Sequence, residues 1–171
     1  FFDLWPDRFS NKTNGVTPRR WIQHANPGMT ELVTAAIGSA WVGDTAALSA
    51  LAPLATDAGF QSEWARIRLH NKQVLARRVA HRTGIEIDPA WLFDVQVKRI
   101  HEYKRQLLNI LHAVHLYDRI HRGDGDDLIP RVILIGGKAA PGYAQAKRII
   151  HFINCVAAVI NADPLVSRIL K

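Results

Sequence analysis

The chain of 171 residues contains a single cysteine, Cys155. A lone cysteine excludes an intramolecular disulfide framework and fits a reducing cytosol, so a cytoplasmic protein is expected. Set in the apolar stretch 149–160, Cys155 reads as a small buried hydrophobe. No apolar run approaches the roughly 20 residues needed to cross a bilayer, which argues against a membrane partner. Phe1 opens the chain with no initiator Met, basic n-region or signal-peptide pattern before it. Familiar site signatures are missing as well. Gly136-Gly137-Lys138 is followed by Ala139, so the triphosphate loop G-x-x-x-x-G-K-[ST] fails, and neither G-x-G-x-x-G nor G-x-S-x-G occurs. The eight histidines are scattered; His112 and His115 are three apart, but no metal set is read from them. Acidic residues are few: 15 Asp and Glu against 22 Lys and Arg leave a net charge of +7 and a pI near 10.0. Such a balance suits anionic partners, whether nucleic acid, membrane surface or phosphorylated small molecules, without choosing among them.

What is present is a globular composition, with 48% hydrophobic residues. The first half, 1–84, reads as a helical segment. Asn14-Gly15 signals a turn, and Thr17-Pro18 signals a helix cap with Pro at the first helical position. Asn26-Pro27-Gly28 precedes a helix over 30–37, and Asp44 or Thr45 caps another ending near Leu54. Phe60, Trp64, Ile67 and Val74 mark the apolar stripe of a long helix over 57–82, whose basic face carries Arg66, Arg68, Lys72, Arg77, Arg78 and Arg82. The second half, 85–171, changes character. Residues 91–97 read as a strand, and Leu107, Leu111 and Val114 mark the buried face of a following helix. Residues 131–135 are a continuous β-branched and leucine run, the pattern of a strand buried on both faces, and a helix over 143–161 follows. Strand–helix–strand–helix predicts an α/β class with a parallel βαβ unit. Both chain ends read as interior to a longer protein.

The run Lys98-Arg99-Ile100-His101-Glu102-Tyr103-Lys104-Arg105 carries four fixed positive charges where the first strand hands over to its helix. Lys104 and Arg105 are expected in the first helical turn, where the dipole already disfavours cations. Unit charges about 4 Å apart repel by up to roughly 4 kcal/mol at an effective dielectric near 20. A sequence that accepts both costs points to a bound anion, and helix N-termini seat phosphate well. The alternative is a solvated basic face.

Three strings, taken together, carry a resemblance. They are Asn11-Lys12-Thr13-Asn14-Gly15-Val16-Thr17-Pro18-Arg19-Arg20-Trp21, the segment 93–109 around the basic run, and Ile135-Gly136-Gly137-Lys138-Ala139-Ala140-Pro141-Gly142-Tyr143. In this order and spacing the chain resembles the α-glucan phosphorylases. The resemblance implies a B-type glycosyltransferase fold with the active site between two Rossmann-like domains, of which this chain is the first part of the second. It implies phosphorolysis of α-1,4-glucan by inorganic phosphate to give glucose 1-phosphate, with pyridoxal 5′-phosphate as cofactor and its Schiff-base lysine outside this chain. By the family pattern Lys98 contacts the cofactor phosphate and Trp21 packs near the cofactor. Arg99 and Lys104 hold the substrate phosphate, Asn14 and Tyr103 contact the glucosyl unit, and Gly142 with Tyr143 belongs to an entrance site that binds purines in some members. The family is usually dimeric. A nucleic-acid-binding α/β module is the rival reading of the +7 charge, but the aromatics stand on apolar helical faces instead of alternating with basic residues as stacking platforms. A helical scaffold leaves the basic run unexplained.

Overall fold

The computed structural model describes residues 1–10 and 17–171. The chain divides into two compact units, Phe1–His70 and Asn71–Lys171.

In the first unit, Asn26 caps helix α1 (Pro27–Ile37) by accepting from the Met29 N–H at 3.3 Å, with Pro27 in the first turn. The core gathers Met29, Val33, Trp41 and Ile67. Trp41 is fully buried, and its indole N–H finds Thr34 Oγ1 at 3.2 Å. Two expectations need correction. Thr17 does not cap through its side chain; its carbonyl accepts from Arg20 and Trp21, and Arg19–His24 winds as a π-type turn. The segment Thr45–Thr56, capped by Asp44 through the Ala46 N–H, is a 3₁₀ helix. Pro53 lies inside it and has no N–H to offer an α-type ladder. The long helix α2 (Ala58–Thr83) forms as its stripe predicts.

The second unit is built on β1 (Leu92–Val97) and β2 (Arg131–Gly136), which pair in parallel from Leu92 opposite Arg131 to Val97 opposite Gly136. Helix α3 (Gln106–His121) makes the crossover, and α4 (Ala144–Ala162) follows β2. The α/β class and the parallel βαβ unit are therefore present. The last residues also join the sheet. Arg131 N–H donates to the Ile169 carbonyl at 2.9 Å, and Ile133 N–H to the Lys171 carbonyl at 2.8 Å, in parallel register.

Three expectations fail here. The buried face of α3 is Gln106, Ile110, Ala113, Leu116 and Ile120, not Leu107, Leu111 and Val114, which are 38%, 47% and 37% exposed. Apolar residues occupy both flanks of this helix, so periodicity alone does not fix its rotation; packing against β2 and α4 does. Only Val132 of β2 is fully buried. Cys155 is exposed.

Asp163 ties the unit's helices together. Its carboxylate accepts from Tyr117 Oη at 3.0 Å, lies 2.7 Å from His121 Nε2, and caps the Leu165 N–H at 2.9 Å. The His121 contact, chiefly, holds the Asp163 carboxyl below its ordinary value of 3.8. A carboxyl depressed on folding contributes stability above the unfolded value and loses it as pH falls through the folded value. Denaturant melts of the protein from neutral pH down through 3.8 should therefore show a decline that Asp163→Asn flattens. Parallel declines in both proteins would refute this.

Candidate functional site

Each strand of a parallel sheet delivers its following loop to the same edge, where α/β sheets bind ligands. The loop after β1 carries the basic run, and the loop after β2 carries 137–143. The two are stitched together: Lys98 N–H donates to the Gly136 carbonyl at 2.9 Å, and Ile100 N–H to the Lys138 carbonyl at 3.0 Å. Ile100, 3% exposed, anchors the first loop against Ala146 and Ile149 of α4. Gly137 is there for closeness. A Cβ on it would sit 2.0 Å from the Lys98 carbonyl oxygen. The glycine thus serves the approach of one loop to the other.

The basic run then folds in two steps. His101, extended, accepts from the Tyr103 N–H through its ring at 3.5 Å and starts the 3₁₀ turn Glu102–Lys104. Arg105 follows with φ 60°, the one non-glycine residue in the left-handed region among the described residues. Lys104 and Arg105 consequently do not lie in the first turn of α3, as the sequence suggested. They precede it, because the chain reverses at Arg105 and the helix begins at Gln106.

Amide side chains fix this loop. Gln106, fully buried, donates to the Arg99 carbonyl and accepts from the His101 N–H, both at 3.3 Å. Gln96 of β1 donates to the Lys104 carbonyl at 3.0 Å and accepts from Asn109 Nδ2 at 3.1 Å. Sequence reasoning missed all three amides; the available signal was a glutamine in a largely apolar strand and another beside the helix start.

Lys98, Arg99, Tyr103 and Arg105 are exposed and Lys104 is half-buried. Among the described residues, none of the four cations has a carboxylate within ion-pairing distance. The one acid in the run, Glu102, turns to Tyr143 instead, accepting from its hydroxyl at 2.5 Å. That bond holds the Tyr143 phenol above its ordinary value. The His101 ring lies 4.3 Å from Tyr103 and 4.9 Å from Tyr143, so Tyr143 joins the basic loop to the start of α4. Lys104 Nζ stands 5.2 Å over the Tyr103 ring.

Of the residues singled out in the sequence, Lys98, Arg99, Tyr103, Lys104, Gly142 and Tyr143 fall on these two loops. Gly142 is exposed, with open space where a side chain would stand. Trp21, 65% exposed, belongs to the first unit, and Asn14 lies outside the described residues. A cavity in this unit, about 200 Å³ and lined by residues such as Val79, Ile110 and Ile153, contains none of the clustered cations. Among the described residues, no group of His, Cys, Asp and Glu gathers as a metal set, and no helix is long and apolar enough to cross a membrane.

The arrangement can take an anion with several oxygens: unpaired cations on rigidly held backbone, with no acid competing for them. The carbohydrate phosphorylase family profile matches residues 1–171. A glycogen phosphorylase of Synechocystis sp. is 52% identical over 171 residues, covering 100% of this chain and 20% of the relative. The liver form of glycogen phosphorylase of Homo sapiens is 47% identical and a glycogen phosphorylase of Chlamydia trachomatis 46%, again across the whole chain. The chain spans about a fifth of the length of these curated relatives. It belongs, from its first residue to its last, to the carbohydrate phosphorylase family.

Proposed function

We propose that this chain supplies the phosphate side of the active site of an α-glucan phosphorylase, a cytosolic glycosyltransferase that cleaves glycogen, starch or maltodextrin with inorganic phosphate to give glucose 1-phosphate. The observation that carries this reading is the set of four cations, without acidic partners among the described residues, on a loop that is locked to its neighbour, in a chain matched throughout by the family. The parent is read as a dimer of B-type glycosyltransferase fold, in which the second unit is part of a Rossmann-like domain.

The residues fit a phosphate-bearing cofactor such as pyridoxal 5′-phosphate, since unpaired positive charge exceeds what one phosphate dianion needs. When bound, the cofactor supplies a phosphate whose second pKa near 6 suits proton exchange near neutrality. Lys98 holds that phosphate. Arg99 and Lys104 hold inorganic phosphate and stabilise the charge it carries as the glycosidic bond breaks. Tyr103 and Asn14 bond hydroxyls of the glucosyl unit, and Trp21 packs beside the cofactor. The lysine that would bind the cofactor covalently is not assigned to this chain. Gly142 and Tyr143 correspond to the entrance position that takes purines in some members.

The test is phosphorolysis by the full-length protein containing this chain, loaded with pyridoxal 5′-phosphate. Glucose 1-phosphate should accumulate from α-1,4-glucan in proportion to enzyme and saturably with phosphate. The 171-residue chain by itself should show no turnover and, after borohydride reduction with cofactor, no stoichiometric pyridoxyl-lysine. A full-length protein that releases no glucose 1-phosphate would overturn the reading. So would an isolated chain that labels one lysine and turns over.

A further inference from the structure

We propose that Gln96, held by Asn109, is a positioning residue that sets Lys104 for phosphate; the proposal rests on the reading of Lys104 as a phosphate ligand. A primary amide has one accepting end and one donating end. Asn109 Nδ2 occupies the accepting end of Gln96 at 3.1 Å, so the donating end faces the Lys104 carbonyl, 3.0 Å away. Strand β1, through Gln96, thereby grips the last residue of the 3₁₀ turn. The first turn of α3 grips from the other side, because Asn109 N–H also donates to the Arg105 carbonyl at 3.1 Å. Between these two holds lies Arg105 in its left-handed conformation, where the chain reverses.

Lys104 is therefore rooted to strand and helix together, while its ammonium sits at the end of a flexible stem. The root is what the amides control. Gln96 and Asn109 line the open cleft of about 380 Å³ that also takes Lys104 and Arg105; Gln96 meets Lys104 at its carbonyl, and the Asn109 amide acts through the Gln96 side chain. Linked amides polarise one another, and the pair holds better than either bond alone. A role in shape alone needs only a side chain of glutamine's length at position 96. A positioning role needs the donor.

Gln96→Met keeps the length and removes the donor, and Asn109→Leu frees Gln96 to turn its amide over. In the full-length holoenzyme each should raise the KM for phosphate about tenfold, the scale of one lost hydrogen bond to a positioned group. The KM for glucan and the thermal midpoint should stay close to wild type. In a Lys104→Ala background, Gln96→Met should add less than about twofold, because its effect runs through Lys104. A lowered midpoint with unchanged phosphate KM would overturn the proposal in favour of a structural role, as would full multiplication of the two substitutions. If Lys104→Ala impairs phosphate use while Gln96→Met is silent, positioning alone is refuted. If Lys104→Ala is itself silent, the phosphate assignment of Lys104 falls, and the positioning proposal falls with it.

Discussion

Lys104→Ala and Arg99→Ala in the full-length enzyme should each lower kcat/KM for phosphorolysis by on the order of 10²–10³, the scale of losing one preorganised charge contact in a transition state. The fold should survive both changes. Neither side chain has a carboxylate partner among the described residues, so removing one of four neighbouring cations relieves repulsion and strands nothing. Stability without ligand should hold or rise slightly, while stabilisation by added phosphate should shrink, because ligand stabilisation follows affinity for the folded state. Arg99→Lys should remain poor, since a point charge does not reproduce the bidentate fork of a guanidinium. A solvated basic face predicts the reverse. Phosphorolysis within about threefold of wild type for both alanine variants would remove the cluster from the active site.

Gly137→Ala should be the most damaging single methyl in the second unit. The added Cβ would meet the Lys98 carbonyl oxygen at 2.0 Å, the Lys98 carbonyl carbon at 3.1 Å and Ile100 Cδ1 at 3.0 Å. Two of those atoms are backbone and cannot swing aside. Relief requires the two loops to part, which breaks the bonds from Lys98 to Gly136 and from Ile100 to Lys138 and lifts buried Ile100 from α4. Overpacking of this kind costs about 1–3 kcal/mol and sometimes more. A fall in thermal midpoint and a loss of phosphate binding should arrive together, since Lys98 and Arg99 ride on the displaced loop. Gly142→Ala, which meets nothing within 4 Å, should leave stability unchanged. A Gly137→Ala protein as stable as wild type would mean that the loops are not locked to each other.

Charge and short apolar runs are local, and they made the basic loop and both strands legible in the sequence. The run 98–105 announces its cations in eight consecutive letters, and the strands begin and end within a residue of their apolar runs. What holds the cations in place is not local. Gln106 reaches back to Arg99, Gln96 forward to Lys104, and Tyr143 across to Glu102 from the other loop. No spacing rule links those pairs. The rotation of α3 escaped for a different reason: Leu107, Leu108, Ile110 and Leu111 are all apolar, so the helix offers two candidate faces and only tertiary packing chooses. The conformation of Arg105 escaped because an arginine carries no signal for positive φ. Cys155 escaped because α4 presents more apolar residues than one face can bury.

The docking of 169–171 beside β2 dictates an order of events during synthesis. Val166 and Leu170, 0% and 2% exposed, complete the core under α3 and α4, and the N–H groups of Arg131 and Ile133 find their carbonyls only in Ile169 and Lys171. Translation at roughly 5–20 residues per second places the birth of β2 and of its outer partner seconds apart. For that interval the nascent chain holds a strand with one edge open, a template for pairing with any neighbouring polypeptide. Slow codons or a stalled ribosome just upstream of Val166 would prolong the hazard. A holdase that covers β2 would shorten it.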